Sequence, residues 1–262
     1  MVQEIPKIIH YCWFGNNAET KLVQRCKQSW KEYLPDYKVV LWNEKNFDIN
    51  ENQFVFEAYQ KKKWAFVTDF VRLKVLYDYG GIYMDTDVEI IKNLDCFLQN
   101  GAFTGFESDQ DIPTGIMGAK PGHRWIKYLL DYYYDKKFIL NDGSIDITTN
   151  VQIISKLSGK CGLVPNNQYQ VICQDVHLYP KDYFAPKSYE TGRISLTSNT
   201  HCIHHFAGSW LSQKQKLKNR AVGLIKIHLG EAVYQKIRQR KQKIGECVNE
   251  ILVSFGNYRK KN

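Results

Sequence analysis

Residues 64–91 constrain the fold more than any other part of the sequence. The stretch WAFVTDFVRLKVLYDY (64–79) repeats apolar residues with helical spacing, and Gly80 and Gly81 follow it, as glycines commonly follow a helix. An apolar segment, IYM, then leads into Asp85-Thr86-Asp87 and resumes as VEII. The pattern predicts a helix over 64–79, a turn, and a buried strand that carries two aspartates.

The N-terminal 48 residues predict a strand–helix–strand unit. Strand-like segments over 7–14 and 37–43 flank a segment, 19–34, whose apolar residues have helical spacing. Two strands joined by one helix are expected to be parallel neighbours, and ligands of such sheets bind beyond the carboxyl ends of the strands. The rest of the body adds short predicted strands near 101–107 and 113–120 and predicted helices near 51–61, 123–138 and 148–159. This alternation of helices and strands predicts an α/β fold with a mostly parallel sheet.

The two aspartates indicate a cation site. Along an extended strand Asp85 and Asp87 would share one face, where two carboxylates repel each other unless a cation lies between them. Oxygen ligands suit Mg²⁺ and Mn²⁺. The alternative is that both acids are solvated at a strand end, which is common for an isolated D-x-D triplet.

The positive charge of the chain lies at its C-terminus. The net charge is +9, but residues 211–262 carry 13 of the 36 Lys/Arg and three of the 27 Asp/Glu, which leaves residues 1–210 at −1. Apolar residues are interleaved with the basic ones. We therefore predict two parts, a body over 1–210 and a basic amphipathic helical segment over 211–262 that can bind an anionic membrane surface. A solvated helix packed on the body is the alternative.

The compartment is predicted from cysteines and the N-terminus. The seven cysteines are scattered without a C-x-x-C pair, and the first residues, MVQEIPKIIHYCWFG, lack the order of a signal peptide. No apolar run is long enough to cross a membrane. These features predict a cytoplasmic protein, and the basic segment would allow a peripheral location at the inner face of the membrane.

Three segments together resemble a known family. IPKIIHYCWFG opens the chain, DFVRLKVLYDYGGIYMDTDV follows, and IHHFAGSW (203–210) ends the body. This combination resembles glycosyltransferase family 32, whose members have the Rossmann-like GT-A fold with a D-x-D motif and use sugar nucleotides. The family includes bacterial capsule and lipopolysaccharide transferases, and the resemblance extends distantly to glucosyltransferase domains of large clostridial toxins.

The resemblance implies roles for residues before and within the D-x-D motif. It implies that Asp87 binds Mn²⁺ or Mg²⁺ directly, and that Asp85 contacts the metal or the ribose. The matching Asp69 and Arg72 would contact the donor sugar and phosphate, so these four residues form the implied catalytic set. An intrahelical ion pair between Asp69 and Arg72, three positions apart, is the structural alternative.

The resemblance also implies a nucleotide site and a distant metal ligand. Tyr11 and Trp13, at the end of the first strand, would bind the nucleotide, with the base stacked on the Trp13 indole; core packing is the alternative for Trp13. His204 and His205 are candidates for a third metal ligand, and His205 matches the family pattern better. Ser209 and Trp210 would reach the leaving phosphate. Tyr83 and Glu89 are interpreted as structural strand positions.

The implied activity is metal-dependent, retaining transfer of a hexose from a nucleotide-diphosphate sugar. UDP-galactose or UDP-glucose is the expected donor, with an N-acetylhexosamine or GDP-mannose next, and the acceptor would be an oligosaccharide or lipid-linked glycan in surface polysaccharide synthesis. A same-face displacement and a covalent intermediate both remain open.

Two other functions fit parts of the sequence. IYMDTDV also fits the nucleophile motif of haloacid-dehalogenase phosphohydrolases, but the chain contains no Gly-Asp pair for the later acidic motif that such enzymes usually have. A non-enzymatic protein that binds nucleic acid or a membrane would use the basic tail. That function leaves Trp13, Asp69, Arg72 and the D-x-D motif unexplained, so no nucleic-acid partner is expected.

Overall fold

The N-terminal unit has the predicted strand–helix–strand order. The computed structural model describes residues 4–113, 115–189 and 191–208. Strand β1 (Ile8–Cys12) pairs in parallel with β2 (Lys38–Trp42), and helix α1 (Lys21–Tyr33) connects them. Thr20 caps α1 by accepting a hydrogen bond from the Val23 amide at 3.3 Å.

A buried helix leads into the next strand. After α2 (Gln53–Gln60), helix α3 (Trp64–Tyr79) is apolar around most of its surface and therefore lies in the interior. Gly80 follows it with a φ of 63°, and a Cβ there would come within 2.6 Å of Pro121. This position therefore requires glycine. Strand β3 (Gly81–Met84) starts at once and is parallel to β1.

The central sheet has seven strands in the order β2-β1-β3-β6-β5-β8-β7. The remaining strands are β5 (Ala102–Gly105), β6 (Ile116–Ala119), β7 (Gln170–Ile172) and β8 (Val176–Tyr179). Five strands run in one direction, while β6 and β7 are antiparallel to their neighbours. The predicted mixed α/β architecture with a mostly parallel sheet is confirmed.

Both faces of the sheet are covered. Tyr83 of β3 belongs to an apolar cluster with residues of α2, α3, α4 (Arg124–Tyr134) and α5 (Asn150–Gly159). Ile82 and Met84 belong to a second cluster that contains Trp30 of α1. Alternate residues of β3 thus point into opposite cores, as expected of a strand buried on both faces. A short helix, α6 (Lys181–Phe184), contributes Phe184 to the second cluster.

A small second sheet joins distant parts of the chain. Strand β4 (Val88–Ile90) pairs with β9 (Cys202–His204) in antiparallel register, with Val88 opposite His204. The prediction that Asp85 and Asp87 lie on a strand is wrong, because both lie between the end of β3 and the start of β4. The amide of Val88 donates to the Asp85 carbonyl at 3.1 Å, which closes a turn in place of an extended segment.

Two compact units are distinguished by their internal contacts: residues 1–187 with 194–210, and residues 188–193 with 211–262. In the second unit, the described residues form a turn in which the Ser188 amide donates to the Arg193 carbonyl at 2.8 Å. The predicted helical segment over 211–262 lies outside the described residues, as do Ser209 and Trp210. Within the described part of the chain, no helix is long and apolar enough to cross a membrane.

Candidate active site

The two aspartates lie at the carboxyl end of β3, in the turn before β4. The amide of Asp85 donates to the carbonyl of Gly115 at 2.8 Å, which ties the turn to the segment that precedes β6. The amide of His205 donates to the Asp87 carbonyl at 3.0 Å, and the Ala207 amide donates to Asp87 Oδ2 at 2.7 Å. Backbone contacts from two distant segments therefore fix the turn, at the edge of the sheet where ligands of α/β folds bind.

A buried arginine connects α3 to this turn. The guanidinium of Arg72 donates from Nη2 to Asp85 Oδ1 at 3.1 Å and lies 3.5 Å from Asp69 Oδ1. It also stacks on the Tyr83 ring, 4.5 Å from the centroid, and the Tyr83 hydroxyl donates to Asp85 Oδ1 at 3.0 Å. Arg72 and Asp69 are thus more than an intrahelical pair, because Arg72 also holds the first aspartate of the motif.

His204 completes the cluster from β9. Its Nε2 lies 3.5 Å from Asp87 Oδ1, and its Nδ1 lies 3.7 Å from Glu107 Oε2. The Nδ1 atom is buried and has no hydrogen-bond partner among the residues that the structure describes. Gly115 leaves room for the imidazole, since a Cβ at that position would lie 3.1 Å from ring atoms of His204 and 2.9 Å from Val88 Cγ2.

Asp85, Asp87 and His204 fit a divalent metal. One ligand atom from each residue lies within 4.8 Å of the other two, and this is the one such group of His, Cys, Asp and Glu side chains found in residues 4–113, 115–189 and 191–208. Two carboxylates and an imidazole are ligands that Mn²⁺ accepts. The mutual repulsion of the two acids would be relieved by a cation in the space between these side chains.

The ionisation of the cluster follows from burial and charge. Burial opposes the charged form of Asp87, but the positive His204 and the Ala207 amide outweigh it and lower the pKa of Asp87 to about 2. Burial likewise opposes protonation of His204, yet the charges of Asp87 and Glu107 raise its pKa to about 9. In the metal-free protein His204 is thus an imidazolium that occupies the position of a cation beside Asp87.

Two other acids near the cluster are hard to ionise. Burial raises the pKa of Asp69 to about 7 despite the nearby charge of Arg72. Burial also raises the pKa of Glu107 to about 7, against the stabilising charge of His204. Each of these carboxyl groups can therefore exist as a neutral hydrogen-bond donor near pH 7.

The structure separates the two candidate histidines. His205 follows β9, and its Nε2 lies 2.6 Å from Glu89 Oε2 and 3.2 Å from Arg25 Nη2. Consecutive extended residues point to opposite sides, so only His204 faces the aspartates. The expectation that His205 is the better match is corrected in favour of His204, while metal binding itself stays a prediction.

Trp13 and Tyr11, which are predicted to contact the nucleotide, lie in different environments. Trp13 follows β1, and its indole Nε1–H donates to the Asn17 carbonyl at 2.8 Å, which fixes the half-buried ring at the carboxyl end of that strand. Tyr11 is 6% exposed and packs edge-to-face on Trp30 with 5.4 Å between centroids. This placement is consistent with Trp13 as a stacking surface and argues against Tyr11 as a ligand contact.

Sequence reasoning missed two residues of the site. The sequence indicates only a structural role for Tyr83, yet the Tyr83 hydroxyl donates a hydrogen bond to Asp85. Glu107 is not identified in the sequence analysis, although its carboxylate faces His204. A signal for Glu107 exists: it is an acid that follows the fully buried segment Ala102–Phe106, so it lies at the carboxyl end of a strand. For Tyr83, two positions before Asp85, no comparable pattern is visible.

Comparisons with known proteins match the part of the chain that contains the D-x-D motif. Residues 20–104, which include Arg72 and both aspartates, match the family described as "Glycosyltransferase sugar-binding region containing DXD motif". The chain is 33% identical over 126 residues to inositol phosphoceramide mannosyltransferase 3 of Schizosaccharomyces pombe, covering 47% of this chain and 35% of the relative. It is 28% identical over 156 residues to the uncharacterized glycosyltransferase L373 of Acanthamoeba polyphaga mimivirus, covering 56% and 61% of the two chains.

Among solved structures, a glycosyltransferase involved in the glycosylation of the major capsid of PBCV-1 aligns over 82% of this chain and 100% of its own, with 12% identity and a TM-score of 0.44. The part of the chain around the D-x-D motif is thus similar to DXD-containing glycosyltransferases. These similarities favour a glycosyltransferase over the phosphohydrolase alternative. The chain spans about a third of the length of curated relatives such as the S. pombe mannosyltransferase.

Proposed function

We propose that this chain transfers a hexose from a nucleotide-diphosphate sugar to a hydroxyl group of an acceptor, in a reaction that requires Mn²⁺ or Mg²⁺ and retains the anomeric configuration. The observation that carries the proposal is the meeting of Asp85, Asp87 and His204 at the carboxyl end of β3. These three side chains would hold a divalent cation, which would supply Lewis-acid neutralisation of the diphosphate leaving group.

The residues of this chain hold and orient the donor. Arg72 fixes Asp85 through a 3.1 Å hydrogen bond, and its buried Nε–H has no hydrogen-bond partner among the described residues. The fork of an arginine suits phosphate and sugar oxygens because its donors have fixed directions. Asp69, buried beside Arg72, is positioned to bind sugar hydroxyls. Trp13 offers an indole on which the base stacks.

The identity of the hexose is the finer part of the proposal. Resemblance to small bacterial members of the family favours a UDP-galactose or UDP-glucose donor. The name of the S. pombe relative, a mannosyltransferase that acts on inositol phosphoceramide, favours a mannosyl donor and a lipid acceptor. Both lines of reasoning imply a hexosyl donor. We propose that the acceptor is an oligosaccharide or lipid-linked glycan in surface polysaccharide synthesis.

The proposed location follows from the charge distribution. Residues 211–262 carry 13 Lys/Arg and three acids, so this segment is expected to bind anionic lipid headgroups at the inner face of the membrane. A cytoplasmic enzyme held there would reach a lipid-linked acceptor. Vesicle sedimentation of the full chain with and without phosphatidylserine, at low and high salt, tests this location.

A donor screen tests the activity. The full chain is incubated with UDP-Gal, UDP-Glc, UDP-GlcNAc, UDP-GalNAc or GDP-Man, with Mn²⁺ or EDTA, and the released UDP or GDP is quantified. We expect metal-dependent release from one hexosyl donor that is lost in Asp87→Ala and retained in Asp95→Ala, an acid that pairs with Lys7 elsewhere. Release that is equal with EDTA, or unchanged in Asp87→Ala, would overturn the proposal.

A further inference from the structure

Glu107 faces the candidate metal site from a third strand. It follows β5 by two positions, and its amide donates to the Asp111 carbonyl at 2.8 Å. Its side chain is 25% exposed, and among the described residues its one ion-pair partner is His204. No other role for this acid in the fold is visible in the contacts of the described residues.

The chemistry of a ligating histidine requires a partner on the second ring nitrogen. An imidazole that binds a cation through Nε2 is neutral and keeps its proton on Nδ1, which then needs an acceptor. In His204 the Nδ1 atom is buried and lacks a hydrogen-bond partner within the described part of the chain, while Glu107 Oε2 lies 3.7 Å away, slightly beyond hydrogen-bond distance. A small shift of either side chain closes that gap.

We propose that Glu107 is the positioning residue that accepts the Nδ1–H of His204 and thereby presents His204 Nε2 to the divalent cation. The inference rests on the proposed function, since it assumes a cation between Asp85, Asp87 and His204. Carboxylate partners of this kind fix the tautomer and the orientation of the ring, and their loss typically lowers metal affinity about 10–100-fold. Glu107 would act through His204 without touching the donor sugar.

The structure supplies a matched control. Glu89 lies 2.6 Å from Nε2 of His205, the neighbouring histidine that points away from the cluster. Both acids face a histidine at the end of β9, but only Glu107 faces the one beside Asp87. A general effect of removing an acidic partner from a histidine would therefore appear equally in Glu89→Gln and Glu107→Gln.

The test is calorimetric titration of Mn²⁺ alone into the full chain. We expect Glu107→Leu to bind Mn²⁺ about 10–100-fold more weakly than wild type, Glu107→Gln to fall between them because its amide oxygen still accepts a hydrogen bond, and Glu89→Gln to match wild type. Urea unfolding of each variant shows whether it is folded under the conditions of the titration.

Each outcome separates the inference from the proposed function. Wild-type affinity in folded Glu107→Leu, or equal losses in Glu89→Gln and Glu107→Gln, would overturn the role of Glu107 and leave the metal-dependent transferase intact. Absence of Mn²⁺ binding by the wild-type chain would overturn both.

Discussion

Removal of the Arg72 guanidinium should destabilise the protein in a pH-dependent way. In Arg72→Met, the apolar stem is kept while Asp69 and Asp85 lose the cation that lies 3.5 Å and 3.1 Å from their oxygens. Arg72 and Asp69 are both buried, with side-chain exposures of 6% and 9%. Removing one partner of a buried ion pair costs about 3–5 kcal/mol, and we expect a loss in that range at pH 8.

The sign of the pH dependence follows from Asp69. Its pKa is already raised to about 7 in the folded protein, mainly by burial, and loss of Arg72 raises it further. The folded variant then holds a proton that the unfolded chain, with a pKa of about 3.9, has released at neutral pH. Stability falls as the pH rises through the folded pKa, so the penalty should be smaller at pH 5.5 than at pH 8.

The assay is urea unfolding in EDTA at both pH values. Arg25→Met is the control, because Arg25 is 58% exposed in its pair with Glu89 and should contribute less than about 1 kcal/mol. Adding Asp69→Asn to Arg72→Met should recover part of the loss, since the two sites are in contact. Wild-type stability of Arg72→Met at pH 8, or an equal penalty at both pH values, would refute this account of the buried network.

Three further predictions concern the same cluster. Tyr83→Phe removes the 3.0 Å hydrogen bond to Asp85 and should cost about 1.5–3 kcal/mol in urea unfolding; an unchanged midpoint would contradict it. Gly115→Ala places a methyl group 3.1 Å from the His204 ring, so Mn²⁺ affinity should fall in titration, and undiminished affinity would show that the ring has room to move. Because the charges around His204 raise its pKa to about 9, Mn²⁺ must displace a proton, and its affinity should rise about tenfold per pH unit between pH 7 and 8.5; a flat profile would exclude His204 as a ligand.

Much of the fold was predictable because its elements are encoded locally. The periodicity of residues 19–34 and 64–79 gave helices that the structure places at Lys21–Tyr33 and Trp64–Tyr79, and the short apolar runs beside them are strands. The direction of β6 and β7 was not predictable, because the segments that connect them carry no pattern that fixes strand direction. Hydrophobic periodicity indicates which face of a helix or strand is buried, but it says little about which element packs or pairs with that face.

The site was predictable only in its local part. Asp69, Arg72, Asp85 and Asp87 lie within one continuous stretch, so their proximity could be expected from the helix–turn–strand pattern. The choice between His204 and His205 depends on the register of β9 against β4. These two strands are separated by more than a hundred residues in the sequence, so local patterns do not encode their pairing. The role of Glu107 depends on that same register, since it is defined by which histidine it faces.

The pairing of β4 with β9 also bears on when the site can form during synthesis. Asp85 and Asp87 leave the ribosome long before His204 and the Ala207 amide that contacts Asp87. Until that late strand is added, the two acids lack both the histidine and the amide, so a chain shortened before residue 202 would keep its D-x-D motif without a complete candidate cation site. Binding of Mn²⁺ would therefore indicate that β9, the last strand of the body, has docked. A nascent chain should gain stability from Mn²⁺ only after β9 has emerged.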